Sequence, residues 1–327
     1  MPIEWYAFGG AGSAQVAGSG QGRKSLGINP WDSMQEAARK ALTYHYQRML
    51  DHEEGTRLGE DIEELHDMRV AIRRMRSAIR FFAPYISSEE VRVANDSLRR
   101  LARRLGEVRD MDVALGHLQG YAESLSSEER EGLKPLFDIW SEQRERRQVL
   151  LVRHLESTLY ASCVRRCAQM LDSLTVQAHW GVDHPPVTEV ASRFLYVYWQ
   201  IVRAYDAVIV NAPVELLHLL RIDCKRLRYG LEFFRDILPR QIADLIPAVV
   251  ELQDHLGEMH DAAVFMGMID EYTARPSVSS HPPAVGRYRA YCRHEMTRRI
   301  QGFDKVWVRF RRSKNEKAFK SLRKLRS

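Results

Sequence analysis

One pattern of histidine and arginine occurs twice in the sequence. The first copy runs His66, Arg69, Arg73, Arg74, Arg76 and closes on Phe81 and Phe82; the second runs His218, Arg221, Lys225, Arg226, Arg228 and closes on Phe233 and Phe234. These residue types suit one kind of chemistry. Guanidinium and ammonium groups make charge-assisted hydrogen bonds to phosphate or carboxylate oxygens. Arginine outnumbers lysine, which favours planar, two-point contact with an oxyanion. A charged stripe is most often a solvated helix face, but such a face normally mixes signs at i,i+4. Here like charges adjoin at i,i+3 and i,i+4, twice at one spacing, and that points to an anion site.

Helical geometry explains the spacing. At about 100° per residue, Arg69, Arg73, Arg76 and Arg80 fall on one side of a helix with His66, while Met68, Ile72, Met75, Ile79 and Phe82 fall opposite. In the second copy His218, Arg221, Lys225 and Arg228 share a stripe, with Leu220, Cys224, Leu227, Leu231 and Phe234 opposite. Each segment therefore reads as an amphipathic helix with a cationic face. Pro84 and Pro239 stop them. Arg74, Arg226 and Tyr229 are expected on the rim of the site.

The elements that must carry these stripes are nearly all helical, so the fold class is all-α. Expected helices run from about Trp31 to His52, Asp61 to Phe82, and Ser88 to Arg109. Another follows Ser126, whose spacing to Glu129 is that of a capping box. The second part repeats the plan, with helices near Val190 to Ala207, from Pro213, and from Gln241 to His260. Basic helices follow a proline-containing loop, 275–286. A second matched pair supports duplication: Leu105-Gly106-Glu107-Val108-Arg109-Asp110 and Leu256-Gly257-Glu258-Met259-His260-Asp261. The glycines are expected to permit close helix contact, each Asp to cap a following helix, and Arg109 and His260 to face the anion. The Arg99, Arg100, Arg103, Arg104 cluster has few basic counterparts in the second part and reads as readily as a solvated face. The expected organisation is a flexible extension over 1–30, one repeat over 31–175 and a second over 187–327, with a linker near 175–188.

Composition narrows the partner. At 327 residues and 45% apolar, the chain can bury a sizeable core. Net charge is only +6, yet residues 66–109 hold eleven arginines against five acids, and 305–326 hold ten Lys or Arg against one Glu. Local positive fields in a balanced chain suggest a directed polyanion site. Cys163, Cys167, Cys224 and Cys292 show no disulfide or zinc framework, which fits a reducing cytoplasm. No run is long and apolar enough for a membrane span, and no membrane association is expected. No cofactor or metal site is expected.

The motif His-x2-Arg-x3-Arg-Arg-x-Arg ending in aromatics, followed by Leu-Gly-x2-Arg-Asp, resembles the CHAD family, the conserved-histidine α-helical domain. It appears at His66 to Phe82 with Leu105 to Asp110, and again at His218 to Phe234 with Leu256 to Asp261. Lys225 and His260 stand where the motif has arginine. The resemblance implies two pseudo-symmetric four-helix bundles whose basic helices line a central groove or pore that binds inorganic polyphosphate, and an association with polyphosphate granules. No Glu-x-Glu-x-Lys signature of the fused triphosphate-hydrolysing domain is present, so the expectation is a non-catalytic binding module.

Three other readings compete. A nucleic-acid binder, or a binder of other long polyanions, would use the same stripes, but the basic helices carry few Asn or Gln to read base edges. Histidine phosphotransfer would place His66 or His218 at a reactive position, but dense arginines hold phosphate rather than pass it on. A hydrolase would want metal-binding carboxylates near the phosphate; Glu63, Glu64 and Asp67 lie near His66, but Glu63 and Glu64 have no equivalents beside His218. The histidines add a pH expectation. Flanking cations depress their free pKa and bound phosphate raises it, so affinity is expected to rise from about pH 8 to pH 6.

Overall fold

A computed structural model describes residues 25–178, 185–209, 212–275 and 282–322. Most of the expected N-terminal extension, residues 179–184 of the expected linker, residues 276–281 of the proline loop and the last residues of the basic tail lie outside the described residues. Every described regular element is helical: α1 (Met34–Asp51), α2 (Glu53–Leu58), α3 (Ile62–Phe81), α4 (Ala83–Ile86), α5 (Glu89–Glu123), α6 (Ser127–Glu131), α7 (Lys134–Leu155), α8 (Thr158–Ala178), α9 (Val187–Ala204), α10 (Val214–Phe233), α11 (Arg240–Ala243), α12 (Ile246–Thr273), α13 (Pro283–Phe310) and α14 (Ser313–Ser321), with one 3-10 turn, Tyr205–Ala207, after α9. The expected all-α class is what the structure shows. No described helix is long and apolar enough to cross a membrane.

The local signals act through their caps. Asp61 caps α3 by accepting from the Glu63 N–H, and Ser88 caps α5 by accepting from the Val91 N–H. Ser126 and Glu129 form the expected reciprocal capping box. α10 follows Pro213, as expected, and α3 and α10 are both 20 residues long. Helices α1, α3, α5 and α8 pack on one another, with α7 along α5; α9, α10, α12 and α13 pack as a second group in which α10 contacts α9 and α12, and α12 contacts α13.

Two expectations about α5 and α12 do not hold. Both helices run past the expected stops at Arg109 and His260, to Glu123 and Thr273. Asp110 and Asp261 are therefore mid-helix and cap nothing. The reason lies in the following residues. No proline intervenes, and Met111, Leu115, Leu118, Phe265, Ile269 and Tyr272 are buried together in a separate apolar cluster with Trp140 and Tyr288. Nor do the paired glycines serve close helix contact. A Cβ on Gly106 would meet only the Arg69 side chain, at 3.7 Å, and one on Gly257 would meet nothing within 4 Å.

The two helix groups thus meet at two apolar junctions. At one, Phe81 and Phe82 from the end of α3 pack on Phe233 and Phe234 from the end of α10, with all four cross-pairs of ring centroids between 5.5 and 5.9 Å. Gly230 makes this approach feasible, because a Cβ there would sit 2.9 Å from the Phe81 ring and 2.8 Å from Leu195. The other junction is the cluster built from the far ends of α5 and α12. His117 Nδ1 lies 2.7 Å from the Tyr288 hydroxyl there, and the His117 ring lies 4.4 Å from Phe265. Between the two junctions the basic faces of α3 and α10 are left opposite each other.

Candidate functional site: a cationic window

The window is built from the middle of α3 and α10 and the matching turns of α5 and α12. Leu65, Met68, Ile72, Met75 and Ile79 anchor α3 in the core, and Leu217, Leu220, Cys224, Leu227 and Leu231 anchor α10. With those faces committed, the opposite faces must project His66, Arg69, Arg73, His218, Arg221 and Lys225 away from the core. The cations interact across the two helix groups. Burial first, and then Arg221, Arg73 and Arg69, push Lys225 down to about 8 against the opposing Asp261. Arg221 is lowered by burial and by Arg73, against Asp261. Arg69 is lowered by burial, then by Arg73 and Arg109, against Asp110, whose carboxylate lies 4.0 Å away. Arg73, Arg221 and Lys225 make no ion pair among the described residues, and Arg221 Nε is buried without a hydrogen-bond partner.

The histidines and the α5 and α12 residues close the ring. His66 is pushed down to about 4, first by burial, then by Arg109 and Arg73. His218 and His260 sit with ring centroids 5.5 Å apart, and His260 is lowered by burial, Arg221, His218 and Lys225. Both motifs thus bring their histidine next to the basic residue that precedes the mid-helix aspartate. With its pKa lowered, a neutral His66 or His260 ring can donate one hydrogen bond and accept one. The fixed cations supply the field.

Four of the sequence-selected residues have other surroundings. Arg74 Nη1 bonds Glu232 at 2.6 Å and Arg228 Nε bonds the same carboxylate at 2.9 Å; the Glu232 side chain is 6% exposed. Although burial opposes it, Arg74 and Arg228 hold the Glu232 carboxyl below its ordinary range. Arg228 also reaches Asp254 at 3.7 Å. Tyr229 is buried rather than on a rim, and the Arg74 guanidinium lies over its ring at 5.7 Å. Arg226 is exposed and paired with Asp223 at 2.8 Å. Arg74, Glu232 and Arg228 form a latch that ties α3 to α10 one turn from the window. Beside it lies His45, which burial, Arg74 and Arg48 push down to about 3, with both ring nitrogens buried and unpartnered. Arg76 and Arg80 lie further along α3, next to Arg99 of α5; burial, Arg80 and Arg99 lower Arg76.

Sequence reasoning missed Glu232 and gave Asp110 and Asp261 a capping role. A signal for Glu232 was present, because it occupies the position that corresponds to Arg80 in the first copy. Among the described residues no cluster of three or more His, Cys, Asp or Glu could hold a metal ion. All four cysteines are buried and free.

What the arrangement can do follows from its parts. Unpaired, partly desolvated cations on two rigid helices, framed by apolar junctions, fit an extended anion with charge repeated along its length. Comparison with protein families matches the CHAD domain over residues 40–270. A crystal structure of the CHAD domain from the plant Ricinus communis is similar at a TM-score of 0.74 and 22% identity, covering 88% of this chain and 94% of that one. PptA from Streptomyces chartreusis is similar at a TM-score of 0.62 and 14% identity, covering 85% of this chain and all of that one, 100%. Curated protein sequences give no match.

Proposed function

This chain belongs to the CHAD domain family, and from that premise we propose that its window binds inorganic polyphosphate without turning it over. The observation that carries the reading is the unpaired group of Arg73, Arg221 and Lys225, contributed by two helices, where burial and then the neighbouring arginines lower Lys225 to about 8. Like charges held together at the expense of stability are best explained by a ligand that neutralises them. Polyphosphate has oxyanions along its whole length and no bases, and the window offers donors without base-reading amides. His66, Arg69, Arg109, His218 and His260 complete the contact set, within two pseudo-symmetric halves. Arg74 and Arg228 act on the architecture through Glu232, and Tyr229 through its ring beneath Arg74. Such a protein would gather at polyphosphate granules.

Binding rather than hydrolysis is supported by the make-up of the window, where Asp110 and Asp261 lie among cations that would compete with a divalent metal for them. The test is isothermal titration of long-chain polyphosphate into the protein and into a variant combining Arg69→Ala, Arg73→Ala, Arg221→Ala and Lys225→Ala, with DNA at equal phosphate as comparison. Tight polyphosphate binding, lost in the folded variant and much weaker for DNA, is expected. Equal affinity for the two polymers would make the window a general phosphate surface. Phosphate release on adding magnesium would make the protein an enzyme.

A further inference from the structure

The two halves of the site are not equivalent beyond the window. On α3 the stripe continues past Arg73 to Arg76 and Arg80. On α5, residues 99, 103, 106 and 110 share one stripe at helical spacing, and its Gly106 and Asp110 flank Arg69. Arg99 and Arg103 therefore prolong the wall that begins in the window. Arg99 also interacts with Arg76. Arg80, Arg99 and Arg103 are exposed, none of the four arginines has an ion pair among the described residues, and Arg76 Nε is buried without a partner.

The corresponding positions of the second half are Arg228, Glu232, Val250 and Asp254. One cation remains there, and it is held by Glu232 at 2.9 Å and by Asp254 at 3.7 Å. Neighbouring acids of α12 are likewise engaged by α13: Glu251 by Arg309 at 2.7 Å and Glu258 by Arg299 at 2.6 Å. A chain leaving the window would meet four free guanidiniums on one side and a neutralised, partly acidic surface on the other.

The geometry points to a one-sided track: a long polyphosphate chain fills the window and then runs only over α3 and α5 of the first half, along Arg76, Arg80, Arg99 and Arg103. This rests on the polyphosphate reading of the window and adds to it a preference for long chains. A short chain is satisfied by the window alone. A long one gains the track's contacts, which the second half cannot offer in mirror image. The loss of symmetry thus fixes where the remainder of the polymer lies.

The experiment compares tripolyphosphate with long-chain polyphosphate on the full chain and on an Arg80→Ala, Arg99→Ala, Arg103→Ala variant, with affinities taken over a range of salt. All three side chains are exposed, so the melting temperature should not change. Long-chain affinity should fall at least tenfold, and its log–log salt slope should shrink by about 2, at about 0.7 for each phosphate neutralised on a single strand. Tripolyphosphate affinity should stay within twofold. The Arg80→Lys, Arg99→Lys, Arg103→Lys variant keeps the charges and should retain most of the slope. Equal losses for the two chain lengths, or none for the long chain, would overturn the track. Retained long-chain binding by the Arg73→Ala, Lys225→Ala variant would instead overturn the window reading, and failure of the unaltered protein to bind either chain would remove both.

Discussion

The window and the latch lie one helical turn apart on the same two helices and use the same residue types to opposite ends. In the latch, Arg74 and Arg228 converge on one buried carboxylate, Glu232, and the three charges satisfy one another. In the window, Arg73, Arg221 and Lys225 converge on no carboxylate within ion-pair distance, although Asp261 lies near enough to oppose their mutual repulsion. Arginine content alone therefore says little about anion binding. What separates a structural arginine from a ligand-seeking one is whether the fold also supplies its counterion. The central change between the copies is glutamate at 232 where the first has arginine at 80.

The comparison is broken most severely at the latch. Glu232→Gln leaves two largely desolvated guanidiniums facing each other without their carboxylate. Removing one partner of a buried ion pair costs about 3–5 kcal/mol, and here two pairs are lost at once, so chemical denaturation should show a loss of at least that order. The sign against pH follows from the lowered Glu232 carboxyl. The latch contributes fully above its unfolded pKa of about 4.3 and is lost as pH falls through the lower folded value. A variant as stable as the parent would show that Arg74 and Arg228 are not committed to structure.

Breaking the window should have the converse outcome, a large loss of binding with little loss of stability. Each charge-assisted hydrogen bond is worth about 1.5–3 kcal/mol, so Arg73→Ala with Lys225→Ala should weaken polyphosphate binding by about 100-fold or more. Without ligand the same variant should melt no lower than the parent, and about 2 °C higher if relieving the repulsion gains about 1 kcal/mol. Calorimetry and titration on one preparation check both halves of the statement.

The sequence made the helices legible because their signals are local. Leu65, Met68, Ile72 and Met75 set the buried face of α3 by spacing alone, and the caps at Asp61, Ser88 and Ser126 mark helix starts. The window residues were legible for the same reason, since a face pattern fixes which side chains project. The roles of Arg74 and Arg228 were not, because they depend on Glu232, and that of Tyr229 was not, because it depends on Arg74 and on how closely α10 approaches α3. That approach is set by the aromatic junction and by Gly230, contacts between residues more than 140 positions apart. The lengths of α5 and α12 were underestimated for a related reason. Met111 to Ala122 and Phe265 to Tyr272 become a core only when the ends of both helices meet Trp140 of α7 and Tyr288 of α13.

Acidity offers a way to sharpen the comparison. The expectation of histidine-driven tightening between pH 8 and pH 6 is shifted by the structure. His66 lies at about 4 in the free protein, so bound anion must raise it by two units before it takes up a proton at pH 6. Lys225, at about 8, is the group poised to respond. It faces Arg69, Arg73 and Arg221, with Asp261 opposing them. Bound polyanion raises its pKa toward the usual 10.4, so binding takes up a proton above pH 8. Affinity should fall about tenfold between pH 7 and pH 9. Lys225→Arg, which stays charged, should flatten that fall and retain tight binding. A parent profile already flat over this range would mean that Lys225 does not meet the anion.

The smallest effect is expected at Arg226, and its smallness is informative. Arg226 belongs to the second copy of the motif by sequence, as Arg74 does to the first. Arg74 reaches across to Glu232, whereas Arg226 projects outward and pairs with Asp223 three residues earlier on its own helix. An exposed pair of this kind contributes about 0–1 kcal/mol. Arg226→Ala should therefore change polyphosphate affinity by less than about twofold, and stability by no more than that range. Arg74→Ala should unfold at clearly lower denaturant than the parent, since it strips a partner from a buried carboxylate. Two arginines at matching motif positions would then separate by stability alone. If Arg226→Ala instead weakened binding as much as Arg73→Ala, the motif itself, rather than the counterions supplied by the fold, would decide which arginines hold the anion.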